Sequence, residues 1–247
     1  MIMSGEVKTF RERIDRERVR ELERRELPRP IDALNLVTFA DEVSYRWYGL
    51  LLFPRLAPAG AWPVWVATHE RSIVGPKNAD EIVIVRYPNH RVIVRAIKGR
   101  YYGWVNRLRE KGVRYFEFSL TERVFLDAEL GRAEMFVVAQ FNLDGAEKAG
   151  AVHEAVASDG RRLVYASREV SDVAIFSPML PSDPNPMQYK HTAVFALSGP
   201  EAARSLDEGP MAGRIEQVTG EVSLQLYRRL PSLEALPWSR RRMDRSK

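Results

Sequence analysis

The histidines, arginines and aromatic residues of this chain could carry chemistry, and their spacing limits what that chemistry is. There are four histidines, His69, His90, His153 and His191, and no cysteine. No two histidines share a metal-ligand spacing, and none lies in an HExxH helix, so a zinc-type centre is not expected. Without cysteine there are no disulfides, thiolate nucleophiles or sulfur ligands. His69 shares a strand face with Trp65 and Ala67 and is the most interior histidine. It is the candidate acid/base group, or a haem ligand; the alternative is a hydrogen-bonded structural histidine. Arg86 stands in an otherwise apolar strand, Glu81–Tyr87 (EIVIVRY), and burial there demands an anionic partner. That partner is either an acidic group on a ligand or a structural carboxylate, Glu70 or Glu117. His69 and Arg86 are the candidate catalytic pair.

An aromatic set, Tyr45, Trp47, Tyr48, Trp65, Tyr101, Tyr102 and Trp104, is concentrated in the first half of the chain. Such residues line flat apolar pockets with polar handles, and they also fill cores. With Arg46, the residues Tyr45, Trp65, Tyr101, Tyr102 and Trp104 form the candidate ligand-binding group. No phosphate loop, dinucleotide fingerprint, nucleophile elbow or Ser/His/Asp order is present, which disfavours nucleotide-dependent chemistry.

The elements that must position these residues follow from periodicity. The 247 residues are 45% apolar, enough for a substantial core. Residues 1–30 are charge-dense and carry a thin apolar stripe, Val7, Phe10 and Ile14, continued roughly by Leu22. They read as an exposed helical arm that docks on its own body or on a second copy. From Ile31 the pattern predicts strand (32–39), a short aromatic helix capped by Asp41 (42–53), strand (64–70), strand (81–87), a second helix broken near Gly99 and stopping at Gly112, and strand (114–120). After a charged linker, 122–132, the order repeats. It runs through strand (133–141), helix (145–158), strand (161–170), a Pro-rich loop (171–190), strand (191–197), a helix opened by Pro200, and strand (221–227). A shift of 110 lays EIVIVRY on HTAVFAL, and the same shift without a gap lays Gly99 on Gly209 and Gly103 on Gly213. The predicted units are therefore an arm (1–30), two βαββαβ repeats (31–121 and 133–230) and a basic tail (231–247).

Both faces of these strands are largely apolar. Each sheet should then be covered twice, by its own helices and by another sheet. Such a βαββαβ unit, with a broken second helix and an open sheet face, resembles the ferredoxin-like dimeric α+β barrel superfamily. The apolar strand IVIVRYP, the KGRYY break and Arg107 or Arg109 are similar to a small uncharacterised family within it. The resemblance implies an α+β fold in which two repeats pair within one chain as a barrel. It implies functions among cofactor-free oxygenases, isomerases and cyclases, and haem-binding or haem-degrading proteins, with sites between sheet and helices. The second break reads Pro210–Met211 where the first reads Arg100–Tyr101, so a ligand site is expected in the first half.

Charge narrows the partners. The net charge is +5, of which the tail from Trp238 contributes +4 and residues 1–30 contribute +2, leaving the body near −1. Nucleic acid is therefore not the expected partner. The N-terminal residues lack a signal-peptide core, and no apolar run approaches a membrane span, so a cytoplasmic protein is expected. Two readings stand. One is a small-molecule protein for an aromatic or apolar ligand, needing no cofactor or, alternatively, haem. The other is a non-catalytic assembly subunit that uses the arm and the Pro-rich loop.

Overall fold

The structure is a computed structural model, and it describes residues 16–142, 161–171, 189–198 and 222–231, with Leu206, Gly213 and Gln217 as single positions. The helices expected at 145–158 and from Pro200, the loop at 172–188 and the tail beyond Pro231 lie outside the described residues. So does Gly209.

Eight antiparallel strands close into one barrel: β1 (Ile31–Phe39), β2 (Trp62–Val74), β3 (Glu81–Tyr87), β4 (Val113–Leu126), β5 (Met135–Phe141), β6 (Arg161–Ser171), β7 (His191–Leu197) and β8 (Val222–Arg229). Their order around the barrel is β1-β3-β2-β8-β5-β7-β6-β4. Within the first half this is β4-β1-β3-β2, and within the second half β8-β5-β7-β6, the same arrangement. The halves join through β2–β8 and β4–β6, so no strand edge of the barrel is left open.

Alternation along each strand sorts the apolar residues into two layers. One set points into the barrel, where Leu34, Ile82, Ile84 and Trp65 of the first half meet Phe136, Val194 and Tyr227 of the second. The other set points outward. In the first half, Ile31, Ala33, Val85, Tyr87 and Leu120 are covered by helices α1 (Arg16–Arg24) and α3 (His90–Lys98) and by Tyr102 of α4 (Arg100–Gly112). The first-half sheet is thus covered twice, as its two apolar faces require.

Several boundaries move. Helix α2 runs Glu42–Leu56, through Pro54, because only the last turn has to forgo the proline's donor. Asp41 caps it, its carboxylate accepting from the amides of Val43 and Ser44. Strand β4 continues to Leu126, through the start of the stretch expected as linker, because Thr121–Leu126 has a partner strand in β6. The second helix breaks at Gly99, whose extended backbone (φ −73°, ψ 139°) separates α3 from α4. Gly112 ends α4 at a close approach: a Cβ there would stand 2.5 Å from the Tyr45 amide nitrogen. The arm's described part docks on its own body. Val19 and Leu22 are buried against the first-half core, and Glu23 pairs with Lys98. Val7, Phe10 and Ile14, which a second copy would need, lie outside the described residues.

Candidate functional site

A cavity of about 40 Å³ lies between the first-half sheet and its helices. Its floor is Asn35 of β1, Tyr87 of β3 and Phe116 and Phe118 of β4. Its roof is Tyr48, Leu52 and Leu56 of α2, with Ile93, Ala96 and Ile97 of α3 and Tyr102 and Arg109 of α4. These residues arrive together for simple reasons. Tyr102, Val105, Asn106 and Arg109 are, with the terminal Gly112, the buried positions of α4; the four are spaced i, i+3, i+4, i+7, which is one helical face. Tyr48, Leu52 and Leu56 repeat every fourth residue on α2. Tyr87 shares the outward face of β3 with Val83 and Val85.

Arg109 is 4% exposed, and its guanidinium carbon lies 4.6 Å from the Phe116 ring centroid and 5.9 Å from that of Tyr48. Asn35 spends its amide donors on the carbonyls of Ala33 (3.1 Å) and Val83 (3.0 Å), which holds its side chain against the sheet. Burial, and then the neighbouring Tyr102, push the Tyr48 hydroxyl well above its ordinary ionisation range. Burial does the same to Tyr87, again with Tyr102 as the second cause. Tyr48 and Tyr87 are therefore neutral hydrogen-bonding groups at any ordinary pH. The lining offers one cation, three phenols and the Asn35 amide in an otherwise apolar wall, and no carboxylate or imidazole. Such a wall can bind and stabilise an oxyanion; it holds no conventional proton-abstracting base.

Of the aromatic residues singled out from sequence, Tyr48 and Tyr102 line this cavity. Tyr45 packs beneath α2 on Val37 and Val113. Arg46 is committed to a buried ion pair, its Nη1 donating to Glu81 Oε1 at 2.8 Å and its Nη2 bonding both Glu81 Oε2 and Glu42 Oε1. Burial opposes the Arg46 charge, but Glu81 outweighs it and raises its pKa. Trp65 points to the other side of the sheet, into the barrel, edge-on to Phe136 at 5.2 Å. The Tyr101 hydroxyl donates to the Leu51 carbonyl at 2.7 Å, with Arg55 over its ring. Trp104 is exposed.

His69 and Arg86 are not brought together. His69 Nε2 lies 2.9 Å from Gln225 Oε1, and its ring stands edge-on to Tyr227. Burial lowers its pKa, with the Gln225 hydrogen bond opposing. Arg86 sits toward the opposite end of the barrel, opposite Trp62 of β2, seven residues and roughly 23 Å along the strand from His69. Its partner is neither Glu70 nor Glu117. Arg86 Nε donates to Asp32 Oδ1 at 3.4 Å, and the Tyr165 hydroxyl reaches the other Asp32 oxygen at 3.3 Å. Burial raises the Asp32 pKa while Arg86 lowers it. Glu70 instead pairs with Arg228.

The residues that reading by type overlooked are Asn35, Tyr87, Phe116 and Phe118. Arg109 stood as an alternative to Arg107, and the structure separates them: Arg107 is exposed and Arg109 is buried at the cavity. The available signal was helical phase, since Arg109 falls two turns after Tyr102.

The described residues do not fit a haem. The cavity is far smaller than a porphyrin and presents no His, Met or Cys. His69 is engaged with Gln225. His90 is wholly buried at the start of α3, and His191 is stacked on Phe141. His153 lies outside the described residues. Among the described residues no cluster of three metal-ligating side chains occurs, and no helix is long and apolar enough to cross a membrane.

No protein-family profile and no curated protein matches the sequence. Solved structures do match by fold. An anthrone oxidase-like protein aligns over 83% of this chain and 92% of its own, at 10% identity and a TM-score of 0.51. A mutant chlorite dismutase from Candidatus Nitrospira defluvii aligns over 88% and 97%, at 9% identity and a TM-score of 0.49. The RPA0582 protein of unknown function from Rhodopseudomonas palustris aligns over 42% of this chain and 90% of its own, at 22% identity and a TM-score of 0.40. At these identities the likeness is one of fold, and the chain has the α+β barrel fold.

Proposed function

We propose that the chain binds a small, largely apolar molecule carrying an acidic hydroxyl, a phenol or enol, in the helix-side cavity of its first half. The observation that carries this reading is the lining: a buried guanidinium and three phenols in a wall otherwise made of aliphatic and aromatic carbon and the Asn35 amide, whose donors are spent on the sheet. Arg109 would face the ligand oxygen and favour its ionised form. Tyr48 and Tyr102 would donate hydrogen bonds, and Leu52, Ile93, Ile97 and Phe118 would hold the carbon skeleton. As it stands the cavity admits only a few water-sized atoms, so binding a whole ring requires α3 and α4 to part at the Gly99 break.

This lining also weighs the reactions. An isomerase that moves a proton between carbons needs a base within reach, and none is present in the lining. An oxygenase acting on a bound enolate or phenolate needs only that the anion be stabilised where dioxygen can reach it. Of these two, the cofactor-independent oxygenase is the better supported. The name of the anthrone oxidase-like neighbour is compatible with a ligand of this kind, although that protein shares only the fold. We further read 31–121 and 133–230 as two copies of one unit. The equal strand order of the halves supports this.

The test uses 4-nitrophenol, a single-ring phenol whose absorbance reports its ionisation. The expected result is saturable binding to the full chain with the bound phenol shifted toward its anion, a shift that Arg109→Gln removes and Arg109→Lys partly keeps. Binding with no such shift, or a shift unchanged in Arg109→Gln, overturns the reading.

A further inference from the structure

The body of the chain is close to neutral in sum, yet its charge is not evenly spread. From His90 to Gly112 there are seven arginines and lysines against one acid, Glu110. Arg91, Arg95, Lys98, Arg100, Arg107 and Lys111 are exposed on the solvent side of α3 and α4, with Trp104 as the other exposed residue. On α4, Arg100, Trp104, Arg107 and Lys111 recur at i, i+4, i+7 and i+11 and so form one straight stripe.

Beside this stripe the surface is apolar. Helix α2, packed along α4, is nearly apolar all round. It turns Trp47 (41% exposed) and Pro54 outward, with Leu50, Leu51 and Phe53 half-buried between them. Trp62, 56% exposed, flanks it with its ring 6.3 Å from Phe53, and Trp104, 55% exposed, flanks it on the α4 side, 6.0 Å from Tyr101. Of the four described tryptophans only Trp65 is buried. An indole prefers the boundary between hydrocarbon and water, where its ring is apolar and its N–H stays solvated. Arginine and lysine beside such rings supply attraction to anionic headgroups. The one acid within α2, Glu42, is tied to Arg46; its cap Asp41 lies 3.7 Å from the exposed Lys111, and Lys98 pairs with Glu23, so the surplus of the face rests on Arg91, Arg95, Arg100 and Arg107.

We propose that this face, formed by α2, α4 and the start of β2, docks peripherally on an anionic lipid surface, with Trp47, Trp62 and Trp104 in the headgroup boundary and Arg100, Arg107 and Lys111 on the phosphates. Charge complementarity selects a polyanion. The three tryptophans around an apolar ridge select a lipid surface over nucleic acid, because a lipid boundary takes up the whole ridge while nucleic acid offers it only base faces. The proposal is independent of what the cavity binds.

The test is co-sedimentation of the full chain with vesicles of phosphatidylcholine alone and with vesicles containing phosphatidylglycerol, at low and high salt. Tryptophan emission is read in parallel. The expected result is binding to the phosphatidylglycerol vesicles only, with a blue shift of emission and release by salt. Trp104→Ser and the double variant Arg100→Glu/Arg107→Glu should each lower affinity about tenfold or more without changing the melting temperature. If Trp104→Ser fails to fold, the charge-reversed variant decides. Four results overturn the proposal. They are absence of vesicle binding; vesicle binding that neither variant weakens, which would place it on the basic tail; a single-stranded oligonucleotide bound through these residues in place of vesicles; and a dimer broken by Trp104→Ser in a chain that ignores vesicles.

Discussion

On the barrel side of the first-half sheet, Arg86 meets Asp32, His69 meets Gln225 and Trp65 closes against Phe136. On the helix side of the same sheet, Arg109 lies over Phe116 and Tyr48 beside a cavity. The residue types are the same, a cation, aromatics and polar groups among aliphatic carbon, but the outcomes differ. In the barrel, side chains from the second half arrive to fill the space, and Gln225 and Tyr165 reach His69 and Asp32. Under the helices, the side chains of α2, α3 and α4 do not fill the space above the sheet, and a gap is left. Residue type therefore does not distinguish a core from a site; what packs opposite does.

The comparison breaks first at its ion pairs. Arg46 and Glu81 are both buried, at 8% and 0% exposed. Arg46→Met should cost about 3–5 kcal/mol, because it strands the Glu81 carboxylate, whereas Arg46→Met with Glu81→Leu should recover most of that loss. Denaturant unfolding of the three proteins measures it; equal losses in the single and double variants would refute the account of this pair. Trp65→Ala should cost a similar ~3–5 kcal/mol as a cavity in the barrel, while leaving binding to the helix-side cavity unchanged. Loss of nitrophenol binding in a Trp65 variant that remains folded would show that the two sides of the sheet are not separate.

Glu117 sharpens the contrast through pH. Its neighbours Phe116 and Phe118 face the cavity, so by alternation it points into the barrel. Burial, and then Glu169, raise its pKa from 4.5 to about 7. Between those values the folded chain binds a proton that the unfolded chain has lost, so stability falls as the pH rises from 4.5 through about 7. The predicted loss is on the order of 2–4 kcal/mol, and Glu117→Gln should flatten it. A wild-type curve that is no steeper than that of Glu117→Gln would contradict this. The smallest effect is expected at Tyr102→Phe, which keeps the ring and removes one hydroxyl. Nitrophenol affinity should fall by about 0.5–1.5 kcal/mol, with little change in stability.

Much of the barrel was legible because a strand covered on both faces is apolar on both faces. Runs such as Glu81–Tyr87 and His191–Leu197 are too short for a buried helix and too evenly apolar for an exposed strand. The end of β4 was not legible. Its TERVFL stretch reads as linker because its charges are not matched locally, and their partner, Arg168 for Glu122, is on a strand far along the chain. The same reason hid the fate of Arg86. Asp32 stands directly opposite it across β1 and β3, and register between strands does not show in either strand alone. Tyr102 could be picked out as an aromatic near a helix break. The cavity could not, because it is a volume left over by packing, and neither Asn35 nor Tyr87 differs by type from an ordinary sheet residue. Net charge misled in a further way: a sum near zero for the body concealed a basic face on α3 and α4.

The central claim is that the helix-side cavity with Arg109, and not the His69–Arg86 set, is the binding site. It is tested most directly by titrating 4-nitrophenol into the full chain, Arg109→Gln and His69→Ala, reading the phenolate absorbance. The account predicts that His69→Ala behaves as wild type and that Arg109→Gln loses the shift toward the anion. The reverse pattern, with the shift lost in His69→Ala and kept in Arg109→Gln, would contradict it.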